Sequence, residues 1–182
     1  MTPGIPPQRL ATPADVPEIA ALMRQSILDL FPGFYDERKT ASGARYIAEP
    51  DVDLIRDGTY VVHEADGAIV ACGGWSRRDK LYTGSGDRPG DARLLDPATE
   101  PARVRAMFVR ADWTRRGIGR AILDACRDAA RAEGFTRLAL MATLADEQHY
   151  RVYGFVETGR TMIPMPDGVE LAGVAMERPV DP

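Results

Sequence analysis

Between Ala102 and Thr143 the chain reads as a strand, an amphipathic helix and a second strand in direct succession, and this unit constrains the fold more than any other segment. Arg116–Glu133 carries Ile118, Ala121, Ile122, Ala125 and Ala129 at helical spacing, with Arg120, Asp124, Arg127, Asp128 and Arg131 turned the other way. Gly134 is a natural residue to end that helix. A helix joining two strands of one sheet makes them parallel, through a right-handed crossover. Ala102–Val109 and Thr136–Thr143 are those strands. Period-two alternation in the first sets Val104, Ala106 and Phe108 on one face and Arg103, Arg105 and Met107 on the other.

The flanking segments supply the rest of an α/β (α+β) sheet. Gln8–Ala11 reads as a short strand after a proline-rich lead, residues 1–7, expected to be flexible. Thr12 caps a helix with Pro13 at its first position and Asp15 placed to return a bond. Its apolar stripe is Ile19, Leu22, Met23, Ile27 and Leu30, ending at Phe31-Pro32-Gly33, and a second helix spans Asp36–Ala48. Thr59–Trp75 has the pattern of a hairpin turning at Ala65-Asp66-Gly67. A short helix, Ala145–Val152, follows the central unit, and strands at Phe155–Met162 and Val169–Arg178 close the chain around Pro166-Asp167-Gly168. The expectation is one domain over 1–182: a mixed sheet of about six to seven strands, with helices on both faces. Ser76–Pro101 breaks the periodicity, and a loop of that length in a small domain is either functional or disordered.

Charge and cysteine content exclude several classes of function. A net charge of −4 argues against a nucleic-acid binder built on Arg103, Arg105, Arg110, Arg115 and Arg116. No apolar run is long enough for a bilayer, the N-terminus lacks a secretory pattern, and two isolated cysteines form no disulfide framework. A cytoplasmic setting is the expectation.

The helix of the central unit opens on TRRGIGRAIL, Thr114–Leu123, with glycines at 117 and 119. A glycine turn ahead of a helix presents unpaired N–H groups and the positive end of the helix dipole, which together bind phosphate. Solvated arginines and glycines that merely relieve crowding would read the same way. A dinucleotide fingerprint needs glycine at 122, where Ile122 stands, and the chain has no Gly-Lys pair for a P-loop.

The strand RAMFV, the connector RADW and Thr114-Arg115-Arg116-Gly117-Ile118-Gly119 resemble motif A of the GCN5-related N-acetyltransferase superfamily, with Thr114 in place of the usual Gln or Arg. His149–Phe155, HYRVYGF, resembles that family's Phe-Tyr-x-x-x-Gly-Phe sequence; His149 takes an apolar position, and Thr143 stands where an Asn is common. The resemblance implies acetyl-CoA as donor and no metal. Main-chain amides from Arg115 to Arg120 would hold the pyrophosphate, and Met107, Phe108 and Val109 would pair with the pantetheine arm. Thr143 and Tyr150 would line the donor site. It further implies that the two parallel strands splay, that the Val109 N–H polarises the thioester, and that Tyr150 is the acid toward the leaving thiolate. The partners so implied are acetyl-CoA and a primary amine of a small molecule or protein, without nucleic acid or membrane; a homodimer stays open.

The general base stays open as well, with Asp79, Glu100 and His63 as titratable groups that nothing places near an amine. Cys126, in the middle of an amphipathic helix, is a poor acyl carrier. Trp75 and Tyr153 read as packing, whereas Phe34 and Tyr35 could line an acceptor pocket. The competing reading is a non-catalytic module that binds acyl-CoA as a sensor.

Overall fold

The computed structural model describes residues 4–80 and 93–182. Seven strands form one sheet: β1 (Gln8–Leu10), β2 (Tyr60–Ala65), β3 (Ala68–Ser76), β4 (Ala102–Val109), β5 (Arg137–Thr143), β6 (Val156–Pro164) and β7 (Glu170–Pro179). Their order is β1-β2-β3-β4-β5-β7-β6, and β4–β5 is its parallel pair. The helices are α1 (Val16–Leu30), α2 (Glu37–Tyr46), α3 (Val52–Asp57), α4 (Ile118–Ala132) and α5 (Glu147–Tyr153). Ile118, Ile122, Leu123 and Cys126 of α4 and Tyr150 of α5 pack on one face of the sheet. Ile19, Leu22 and Met23 of α1 and Leu54 of α3 pack on the other.

Local chemistry explains the boundaries. The Asp15 carboxylate accepts from the Thr12 N–H at 2.7 Å, the return half of the cap expected from sequence. Asp66 and Gly67 both have positive φ, 52° and 76°, the conformation a two-residue hairpin requires. The buried stripe of α4 keeps the expected Ile118 and Ile122 but continues through Leu123, Cys126 and Ala130 in place of Ala121, Ala125 and Ala129, a face turned by one residue. The lead is tied down from Pro6 onward: the Pro6 carbonyl lies 2.8 Å from His63 Nδ1, and Glu64 N–H donates to Pro7. His63 is thus a buried structural residue.

The alternation expected in β4 fails at its centre. Ala106 has φ 54°, and Ala106 and Met107 together oppose Gly73 alone, which makes a β-bulge. The extra residue reverses the pattern. Val104 and Met107 lie toward α4, while Arg105 pairs with Asp51 on the opposite side and Ala106 and Phe108 pack toward α1. The Tyr60 hydroxyl, fully buried, donates to the Ala106 carbonyl at 2.7 Å and holds the bulge.

Next to it on β3, across from Arg105, Gly74 admits no side chain: a Cβ there would run into the Thr59 carbonyl oxygen. Gly74→Ala must therefore displace backbone, at a cost of about 3 kcal/mol, the upper range for overpacking. For a chain of this size that lowers Tm by roughly 6–12 °C. Thermal denaturation checks this against Gly159→Ala, where a Cβ meets nothing within 4 Å and Tm should hold.

Candidate active site

β4 and β5 pair only at Ala102–Leu138 and Arg103–Ala139. Beyond those residues they part, and a cavity of about 80 Å³ occupies the opening. It is lined from β4 by Val104–Phe108, from β5 by Leu140–Thr143, and from further on by Asp146, Tyr150, Ile163 and Met165. The splay expected from the resemblance is therefore present.

The Arg110 N–H, one residue past β4, donates to Val70 of β3. Neighbouring peptides of a strand point to opposite sides, so the Val109 N–H faces away from β3, toward β5. The Val109 carbonyl is already engaged by the Ser26 hydroxyl of α1 at 3.1 Å. Ser26 carries no motif, and nothing in the sequence marked it.

Tyr150 is buried on the cavity wall, its ring edge-on to Phe155 with centroids 5.8 Å apart. Among the described residues its hydroxyl has no hydrogen-bond partner. Burial, then the charge of Asp146, raises the phenol well above its ordinary value, so it stays protonated throughout the neutral range.

Ahead of α4, Arg115 (φ 61°) and Gly117 (φ 86°) both turn through the left-handed region, and Gly117 needs to be glycine for that reason. By helix geometry the N–H groups of Ile118, Gly119 and Arg120 lack an intrahelical acceptor. Gly119 is glycine for a reason the sequence did not suggest: a Cβ there would lie 2.8 Å from His149 Nε2. His149 thus covers Gly119, its ring 5.5 Å from that of Tyr150. The Thr114 hydroxyl donates to Ala111 and braces the connector. Arg116 lies over Trp113 at 4.5 Å and Arg120 near the Tyr153 ring at 5.8 Å. Among the described residues, Arg115, Arg116 and Arg120 form no ion pair, so the turn keeps its positive charge.

Thr143 does not offer its hydroxyl freely to a ligand, because it donates to Asp146 Oδ2 at 2.8 Å. Asp146 was not among the sequence candidates; its signal is an acid three residues past Thr143, just ahead of α5. Desolvation pushes its carboxyl up to about 6, partly offset by the Thr143 bond.

The other sequence candidates fall elsewhere. Arg93 bonds both Asp79 and Glu100 and holds the Glu100 carboxyl down to about 2, so neither acid is free to act as a base. These flanks of the long loop lie beside the first residues of β4 and the end of α4, where Arg77 pairs with Glu133, at the far end from the splay. The loop's tip, 81–92, lies outside the described residues. Trp75 is core, packed edge-on to Phe135, and the Tyr153 hydroxyl donates to Asp124. Phe34 is exposed; the Tyr35 hydroxyl instead spans Ala172 and Leu144. Both cysteines are buried, and burial pushes each thiol up to about 12. Among the described residues no group of three acids, histidines or cysteines is arranged to hold a metal, and no helix is long and apolar enough to cross a membrane.

The splayed parallel pair beside a glycine turn is the arrangement that the resemblance implies. Residues 24–155 match the model of the Acetyltransferase (GNAT) family, and the chain belongs to that family of acetyltransferases. No curated protein matches the chain. Among solved structures, a GCN5-related N-acetyltransferase from Rhodopseudomonas palustris aligns over 98% of both chains at 20% identity, TM-score 0.74. The PaiA N-acetyltransferase of Thermoplasma acidophilum, in complex with coenzyme A, is 13% identical over 95% of this chain and 98% of its own, TM-score 0.64. A putative acetyltransferase, yncA, from Salmonella typhimurium, with acetyl-CoA, is 16% identical over 97% and 94%, TM-score 0.60. At these identities the likeness is one of fold.

Proposed function

We propose that the protein transfers the acetyl group of acetyl-CoA to a primary amine, by direct attack within a ternary complex. The observation that carries this reading is the cavity in the β4–β5 splay, with the Tyr150 hydroxyl on its wall and no protein partner for it among the described residues. The donor's pyrophosphate would lie against the amides from Arg115 to Arg120, beside arginines without carboxylate partners. Its pantetheine arm would add to the edge of β4 along Met107–Val109, much as a peptide adds to a sheet.

In this arrangement the Val109 N–H donates to the thioester oxygen as negative charge gathers there. The amine nitrogen bonds to the carbonyl carbon, the carbon–sulfur bond breaks, and Tyr150 supplies a proton to the departing sulfur. The thiolate would leave in the same recess, where desolvation would raise its basicity along with that of the phenol. Neither cysteine suits an acyl-enzyme route, because a buried thiol held near 12 is neutral at working pH.

The test is coenzyme A release, followed with a thiol reagent, from acetyl-CoA across a panel of primary amines, together with calorimetric binding of acetyl-CoA. At least one amine should release coenzyme A well above the rate without acceptor. Tight binding with no release across the panel would instead support the sensor reading.

A further inference from the structure

We propose that the Asp146 carboxylate is the base that accepts a proton from an acceptor arriving as an alkylammonium ion, and that its charge selects acceptors of that class. The inference rests on the N-acetyltransferase reading above and names the amine's chemistry and its handling.

Asp146 heads α5 and lines the cavity together with Tyr150. Its neighbours on that wall are apolar: Leu140, Met141, Ala142, Ile163 and Met165. Its side-chain hydrogen bond comes from the Thr143 hydroxyl, and no described cation pairs with it. The cavity's arginine, Arg105, is paired with Asp51 at 3.2 Å. A carboxylate with so little compensation in an apolar recess is costly, and an incoming cation relieves that cost. A carboxyl raised to about 6 is ionised at neutral pH and remains more basic than an ordinary aspartate.

The proton balance closes. An alkylammonium ion, with pKa near that of lysine at about 10.4, gives one proton to Asp146, which frees the nitrogen lone pair. The nitrogen–carbon bond forms and the carbon–sulfur bond breaks. The nitrogen's second proton passes to Tyr150 and replaces the one it gives the sulfur, and Asp146 returns its proton to solvent. The sum is one amide, one thiol and one released proton.

Other groups near Asp146 behave differently across the range. Tyr35 and Tyr150 are held above their ordinary values and remain neutral. Glu147 is bonded by Arg151 and Arg160 and held below its ordinary value, and Arg105 is paired with Asp51. His149 is the other group that titrates near Asp146, held below its ordinary 6.5 by desolvation.

The experiment measures kcat/KM against pH for butylamine, Nα-acetyl-lysine and aniline, in the full chain and in Asp146→Asn. Asparagine can accept the same hydrogen bond from Thr143, and calorimetry with acetyl-CoA reports whether the variant keeps its fold and donor site. For the two alkylamines the unaltered protein should rise through pH about 6 and run flat from pH about 7 to 9. Asp146→Asn should fall at least ~100-fold at pH 7 and climb about tenfold per pH unit, because the amine must then arrive already neutral. Aniline is neutral at pH 7, so the butylamine-to-aniline ratio should drop at least ~30-fold in the variant. Parallel profiles in the two proteins, with the acid limb retained, would assign that limb to His149 and overturn the proposal. So would a ratio that does not move. Absence of acetyl-CoA binding, or of turnover with every amine by the unaltered protein, overturns the underlying N-acetyltransferase reading instead.

Discussion

Gly119→Glu should weaken acetyl-CoA binding by at least ~100-fold while the protein stays folded. Its Cβ would meet the tip of the His149 ring, which can swing aside because it is the end of an exposed side chain. The carboxylate that follows would then lie over the first amides of α4, where the donor's pyrophosphate is proposed to rest. Losing two charge-assisted bonds of about 1.5–3 kcal/mol each, with a like charge added, gives a loss of that order or greater. Gly119→Ala separates the causes, since it displaces His149 without adding charge and should cost far less affinity. Equal calorimetric affinity in Gly119→Glu and the unaltered protein, at equal Tm, would remove the pyrophosphate from this turn.

Tyr150→Phe should reduce kcat by about 100-fold or more and leave acetyl-CoA affinity within about threefold, the range for loss of a positioned acid. The substitution is clean because phenylalanine keeps the edge-on contact to Phe155 and the approach to His149. The hydroxyl it removes has no described partner inside the protein, so Tm should not fall. Single-turnover measurement with acetyl-CoA and the best amine from the panel checks this. Undiminished turnover would exclude Tyr150 from proton transfer.

The frame of the molecule was legible because it rests on periodicity and caps. Seven strands, the parallel β4–β5 pair and the helix between them appear close to the expected positions. The short α3 was missed, since six residues make too few turns to display a period. The β4 bulge was missed for a different reason: Ala106 has no local preference for positive φ, and the hydrogen bond that holds it comes from Tyr60, 46 residues away. Around the β4–β5 splay, the glycine turn was legible from its place between strand and helix, and Tyr150 was singled out through the resemblance of HYRVYGF. Ser26, His149 over Gly119 and the Thr143–Asp146 bond were not legible, because each depends on which face a helix presents or where a loop turns. Of the long loop, whose length suggested function or disorder, the described flanks are bound by Arg93 and Arg103 near the start of β4, and its tip, 81–92, lies outside the described residues.

The Tyr60–Ala106 bond has a consequence for how a donor is received. A left-handed alanine costs about 1 kcal/mol or more, and that strain is carried by the free protein because a buried tyrosine on β2, one strand beyond β3, enforces it. The slot between β4 and β5 is therefore open before any ligand arrives. A donor entering it has no strands to prise apart, so less of its binding energy is consumed in reshaping the protein.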